Sequence, residues 1–113
     1  MEVTREMGCT GSTAILRLKG PLTLSTAGTL QAKLEEVPGF DTVIDVSDVR
    51  YVDSTGLGAL LGQWSRSQRA GHKFALTGVN PRVTMLLQIA RVSNLVPVFN
   101  TAEEADANFT GRA

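Results

Sequence analysis

The sequence predicts an α/β fold: a single domain with a mixed, mostly parallel β-sheet and about four helices. Three observations carry this. Short strand-like runs at 42–46 and 73–77 alternate with longer segments whose apolar residues recur at helical spacing. Two strand-like runs at the start, 1–7 and 13–19, are separated by turn residues and suit an antiparallel hairpin. The length of 113 residues with 42% hydrophobic content fits one packed core. The expected order is β-β-α-β-α-β-α-β-α with right-handed crossovers, and no repeat, linker or low-complexity segment interrupts it.

Each element has a local reason. In the second strand Ala14, Leu16 and Leu18 share one face, and Gly20-Pro21 ends it. Ser25 or Thr26 can cap a helix in which Ala27, Leu30, Leu34 and Val37 align, and Pro38-Gly39 stops it. The β-branched strand 42–46 leads through residues 47–52 into a long helix that begins around Ser54 and runs to about Ala70, with Gly71 as its stop. After strand 73–77, Asn80-Pro81 pairs a cap with proline at the first helical position, and Val83, Leu86, Leu87 and Ala90 form a core stripe. Residues 96–99 read as an edge strand because of Pro97. Thr101 and Glu104 form a capping box for a last helix with Ala105 and Phe109 inward, and the tail from Thr110 is expected to fray.

Composition excludes several classes of function. Eleven basic residues balance eleven acidic ones, so nothing electrostatic favours nucleic acid or an anionic membrane surface. The one cysteine, Cys9, makes an intrachain disulfide or thiolate metal cluster unavailable and reads as an ordinary strand or turn residue that suits a reducing compartment. No signal-peptide pattern opens the chain and no apolar run is long enough to span a bilayer, so the expectation is a cytoplasmic protein without membrane insertion. The single histidine, His72, follows a helix stop, and no His/Cys/Asp cluster has ligand spacing. Gly56-x-Gly58 is not a phosphate-binding fingerprint, since Leu61 stands where the third glycine would be. An enzyme is therefore not expected, and no metal or cofactor is called for.

The organising stretch is Asp53-Ser54-Thr55-Gly56-Leu57-Gly58, which puts a hydroxyl at a helix N-terminus, where free N–H groups and the dipole favour an anion. Two readings of Ser54 stand: an ordinary N-cap, or a regulatory site at which a phosphate would bring nearly two negative charges beside Asp53 and near Asp48 and Asp45. Thr55 is a competing hydroxyl. At 100° per residue, Leu57, Leu60, Leu61 and Trp64 share the core face, whereas Ser54, Gly58, Gly62, Ser65 and Arg69 fall on a neighbouring stripe. Its glycines serve either close packing inside the domain or the approach of a partner.

At Tyr51-Val52-Asp53-Ser54-Thr55-Gly56-Leu57 the chain resembles a STAS domain, in particular an anti-sigma factor antagonist. Leu18-Lys19-Gly20-Pro21-Leu22 with Thr26-Ala27 resembles the family's L-x-G-x-L-D-x-x-T-A segment, and Val43-Ile44-Asp45-Val46-Ser47 precedes the motif as in relatives. Gly71 and then Phe74-Ala75-Leu76-Thr77-Gly78-Val79 resemble the next strand and turn. The resemblance covers about residues 13–109 of a single domain spanning 1–113. It implies that Ser54 is phosphorylated by a partner that is both anti-sigma factor and ATP-dependent serine kinase. The unphosphorylated chain would bind that partner through Asp53, Thr55, Gly56, Gly58, Gly62, Ser65, Arg69 and Thr23, and a phosphatase would reset the switch. Thr23 stands where relatives often carry an acidic residue, which removes one negative charge from this surface. The same resemblance leaves a rival, since STAS-like domains also serve as accessory subunits of lipid-transport ABC complexes and of sensory assemblies.

Overall fold

A computed structural model describes residues 1–8 and 11–109; Cys9 and the tail from Thr110 lie outside the described residues. The elements are β1 (Glu2–Met7), β2 (Thr13–Lys19), α1 (Ala27–Glu35), β3 (Asp41–Asp48), α2 (Ser54–Ala70), β4 (Phe74–Thr77), α3 (Pro81–Ile89), β5 (Val98–Phe99) and α4 (Ala102–Phe109). They form one five-stranded sheet in the sequential order β1-β2-β3-β4-β5. β1 pairs antiparallel with β2, and the other three pairings are parallel. This is the architecture the alternation of patterns predicts.

Sequential order and right-handed crossovers together put α1, α2 and α3 on one face of the sheet. That face holds the main core, in which Leu16, Ile44 and Leu76 stand opposite one another across β2, β3 and β4. Leu30 and Leu34 of α1, Leu60 of α2, and Val83 and Leu87 of α3 close it from above. α4 follows the last strand, has no further strand to reach, and covers the other face with Ala102, Ala105 and Phe109 against Ile15, Val43 and Ala75. Lys73 fastens its end by donating from Nζ to the Phe109 carbonyl at 2.7 Å.

The α4 face changes character along the strands. The row Ile15–Val43–Ala75 is apolar, and the next row in the same register is Arg17–Asp45–Thr77. Asp45 is buried and accepts from Thr77 Oγ1 at 2.9 Å, from Ser47 N at 3.0 Å and from Ser47 Oγ at 2.5 Å. Arg17 lies 3.6 Å from Asp45 and also reaches Glu6 of β1 and Glu103 of α4. A buried carboxylate is tolerated because three hydrogen bonds and the nearby Arg17 guanidinium engage both its oxygens.

Several local expectations shift. β5 covers only Val98–Phe99 of the expected 96–99, and Ala90, expected on the core stripe of α3, lies just past that helix and is exposed. β3 runs two residues past Val46, because Lys19 pairs with Asp48 beyond an irregularity in the ladder, although Ser47 and Asp48 are exposed and polar. Thr26 holds the N-cap position of α1 without capping it. Its hydroxyl donates to the Pro21 carbonyl at 2.8 Å and accepts from Thr23 N at 2.9 Å, so it ties the preceding loop instead.

Asp45→Ala is expected to destabilise the domain by about 1–3 kcal/mol, since it strands the buried Thr77 hydroxyl. Urea unfolding of the variant beside wild type measures this.

Candidate functional site

The C-terminal ends of β2 and β3 deliver two loops to the same end of the sheet, residues 20–26 and 49–53. An isolated parallel bridge joins them, with Leu22 opposite Val52. Leu22 N donates to the Tyr51 carbonyl at 2.9 Å, and Asp53 N donates to the Leu22 carbonyl at 3.2 Å. Both Leu22 and Val52 are buried, so apolar packing holds this bridge from below. Asn80 secures the second loop from the α3 side. Its Nδ2 donates to the Val49 carbonyl at 3.1 Å, while its Oδ1 caps α3 at Val83 N, 2.8 Å away.

α2 starts from this platform, and its cap is Asp53 rather than Ser54. Asp53 has extended backbone (φ −93°, ψ −179°), and its Oδ1 accepts from Gly56 N at 2.7 Å. Its Oδ2 accepts from Leu24 N at 3.0 Å. One carboxylate thus clips the first turn of α2 to the loop after β2. These bonds, first that from Gly56 and then that from Leu24, hold the Asp53 carboxyl below the usual carboxylate range. Ser54 is the first residue of the helix and is exposed, and no hydrogen bond ties its hydroxyl to another described residue. The capping reading of Ser54 is therefore replaced: the neighbouring aspartate does that work and leaves the hydroxyl unengaged.

The remaining expected residues separate into groups. Gly56, expected to face a partner, is buried. A Cβ there would stand 2.1 Å from the Leu22 carbonyl oxygen, so only glycine lets the first turn approach the bridge. Gly58 has open space where a Cβ would be, and at Gly62 the nearest neighbour is the Arg66 side chain at 3.5 Å. Close packing inside the domain is thus not the reason for either glycine. Ser54, Gly58 and Arg69 are exposed, Gly62 and Ser65 half-buried, and together they run along the helix away from Leu60, which is fully buried. Thr55 is exposed, and the half-buried Thr23 sits in the loop that Asp53 holds.

Asp45, expected near Ser54, faces the α4 side of the sheet and is not its neighbour. Two residues at the site escaped the sequence reading. Leu24 is 74% exposed, and Tyr51 is exposed with the Arg82 guanidinium 5.0 Å from its ring centroid. The available signal for Leu24 was its isolation as the one apolar residue in Thr23-Leu24-Ser25-Thr26. The arrangement presents a hydroxyl on a rigid mount. Among the described residues no group of three His, Cys, Asp or Glu side chains is placed to hold a metal ion, and no helix is long and apolar enough to cross a membrane.

A family model described as "STAS domain" matches residues 4–105. The chain is similar to the anti-sigma F factor antagonist of Paenibacillus polymyxa, with 26% identity over 95 residues, 80% of this chain and 81% of the relative. Its fold is similar to that of a Thermotoga maritima protein assigned as an anti-sigma factor antagonist, with a TM-score of 0.86, 20% identity and coverage of 96% and 94%. It is also similar to the phosphorylated form of the Bacillus cell fate determinant SpoIIAA, with a TM-score of 0.75, 21% identity and coverage of 95% and 98%. At these identities the structural likenesses establish the fold.

The glycines should respond in opposite directions. Gly56→Ala forces its Cβ into the Leu22 carbonyl and should cost about 3 kcal/mol. Gly58→Ala meets open space and should stabilise the helix by roughly 0.5–1 kcal/mol. Denaturant titration of the two variants checks the contrast.

Asp53 predicts a pH signature. Its folded pKa is lowered, so its contribution is fully present above the ordinary aspartate value of about 4 and is lost as pH falls through the lowered value. The stability gap between wild type and Asp53→Asn should hold from pH 7 to 5 and narrow below about pH 4, as read from unfolding midpoints across that range.

Proposed function

The chain belongs to the STAS domain family, and from that premise we propose that it is an anti-sigma factor antagonist that works by partner switching. Unphosphorylated, it binds an anti-sigma factor that is also a serine kinase, and so frees the sigma factor. Phosphorylation of Ser54 by that kinase releases it, and a phosphatase restores the binding state. The kinase supplies nucleotide and metal, so this chain acts as a regulator in the cytoplasm without catalytic residues of its own.

The observation that carries this reading is the unengaged Ser54 hydroxyl beside an aspartate that caps the helix in its place. A cap hydroxyl would have to leave its own hydrogen bond before reacting, whereas this one is free and exposed. A phosphate there adds nearly two charges next to the ionised Asp53. A partner lying flat on the exposed stripe would have to desolvate both groups, at a cost that opposes binding. The open space at Gly58 suits such a partner, because no side chain holds it away from the helix backbone. Asp53, Thr55, Thr23, Gly62, Ser65 and Arg69 would complete that surface, with Gly56 supporting it from beneath.

With the purified anti-sigma kinase and ATP, wild type should gain one phosphate at Ser54, and Ser54→Ala should gain none. In a pull-down with the same kinase, Ser54→Asp and Gly58→Leu should each lose about tenfold or more in affinity, as loss of a central contact does. Labelling that persists in Ser54→Ala, or that maps to Thr55, sinks the assignment; mass spectrometry of the phosphopeptide decides.

A further inference from the structure

Among the described residues, Leu24 is the one large apolar side chain at this end of the molecule that is both mostly exposed and set on a fixed backbone. It is 74% exposed and packs into neither core cluster. The backbone on either side of it is nonetheless held. Leu22 is bridged to Val52, and Thr23 N donates to Thr26 Oγ1 at 2.9 Å. Leu24 N donates to Asp53 at 3.0 Å, and the Thr23 carbonyl accepts from Thr26 N and Ala27 N at 3.0 and 2.8 Å. A leucine three-quarters exposed and outside both cores adds little to the fold. It is an apolar knob whose ordering cost has already been met, which is what a binding anchor needs.

From this we infer that Leu24 is the anchor by which the anti-sigma partner grips this chain, seated in an apolar pocket of that partner; the inference rests on the function proposed above. A projecting knob suits a protein with a matching pocket, whereas a small molecule needs a concavity on this chain. The position also bears on the switch. Asp53 is at once the residue before Ser54 and the group that holds Leu24, so the knob and the hydroxyl share one clip. A pocket closing over Leu24 therefore covers Ser54 as well. A neutral hydroxyl tolerates that enclosure, whereas a phosphate loses its hydration, and release follows without any change in the fold.

The test is titration calorimetry with the purified anti-sigma kinase against wild type, Leu24→Ser, Leu24→Met, Ile89→Ser and Ser54→Asp. Ile89 is the control: it is 70% exposed and ends α3 at the far end of the sheet. Leu24→Ser should raise Kd about tenfold or more, Leu24→Met should stay within about threefold of wild type, and Ile89→Ser should be unchanged. Thermal melts should be unaltered at Leu24, which is not part of the core. If wild type binds and Ser54→Asp does not, while Leu24→Ser binds as wild type, the anchor is overturned and the partner-switching reading stands. If Leu24→Met loses as much as Leu24→Ser, an apolar knob is not what the partner reads, and the anchor is again overturned. Failure of wild type itself to bind the kinase overturns both.

Discussion

The carbonyl group of Leu22 is the contact around which the functional end of this domain is built. It accepts from Asp53 N, and a Cβ at residue 56 would collide with it, so it sets both where the second loop runs and how closely α2 begins. Leu22 is itself fully buried, which anchors this polar contact in the main core. Everything at the site is then one bond away: Asp53 caps the helix, reaches back to Leu24 and leaves Ser54 outward. A glycine at position 56 is the steric condition for this arrangement, and the bidentate aspartate is its electrostatic lock.

The two faces of the sheet divide the labour. Three helices on one face supply the apolar mass that holds the strands in register. The other face needs less cover, because α4 shields only the lower apolar row and the next row is closed by Asp45, Arg17 and Thr77. That polar row also joins β1, β2, β3, β4 and α4 through Arg17 and its carboxylate partners. The rigid sheet end that results is what lets two loops act as a fixed mount.

Local patterns made the elements legible: the hairpin, the Asn80-Pro81 start, the Thr101 cap and the Gly71 stop all appear where the residues indicate. Gly71 adopts φ +77°, as a left-handed helix stop requires, and Glu104 N donates to Thr101 Oγ1. Along α2 the angular separation holds only in part: Leu60 is buried and Ser54, Gly58 and Arg69 are exposed, whereas Leu57, Leu61 and Trp64 of the expected core face are half-buried like Gly62 and Ser65 of the stripe. What failed shares one cause. Asp and Ser are comparable caps, so their order in Asp53-Ser54 does not say which one turns inward. The reach to Leu24 N decides it, and that atom is 29 residues away in sequence. Likewise, Gly56 and Gly58 look alike in sequence, yet one lies against a carbonyl and the other against open space.

By itself, then, the sequence determined the fold class, the order of elements, the start of the long helix and the family to which the chain belongs, because these follow from periodicity, capping chemistry and a contiguous motif. Only the tertiary structure decided which residue caps that helix, which glycine is obligatory, that Asp45 faces away from Ser54, and that Leu24 stands exposed on the loop that Asp53 holds. Each of those depends on a contact between segments that the chain brings together only when the ends of β2 and β3 meet.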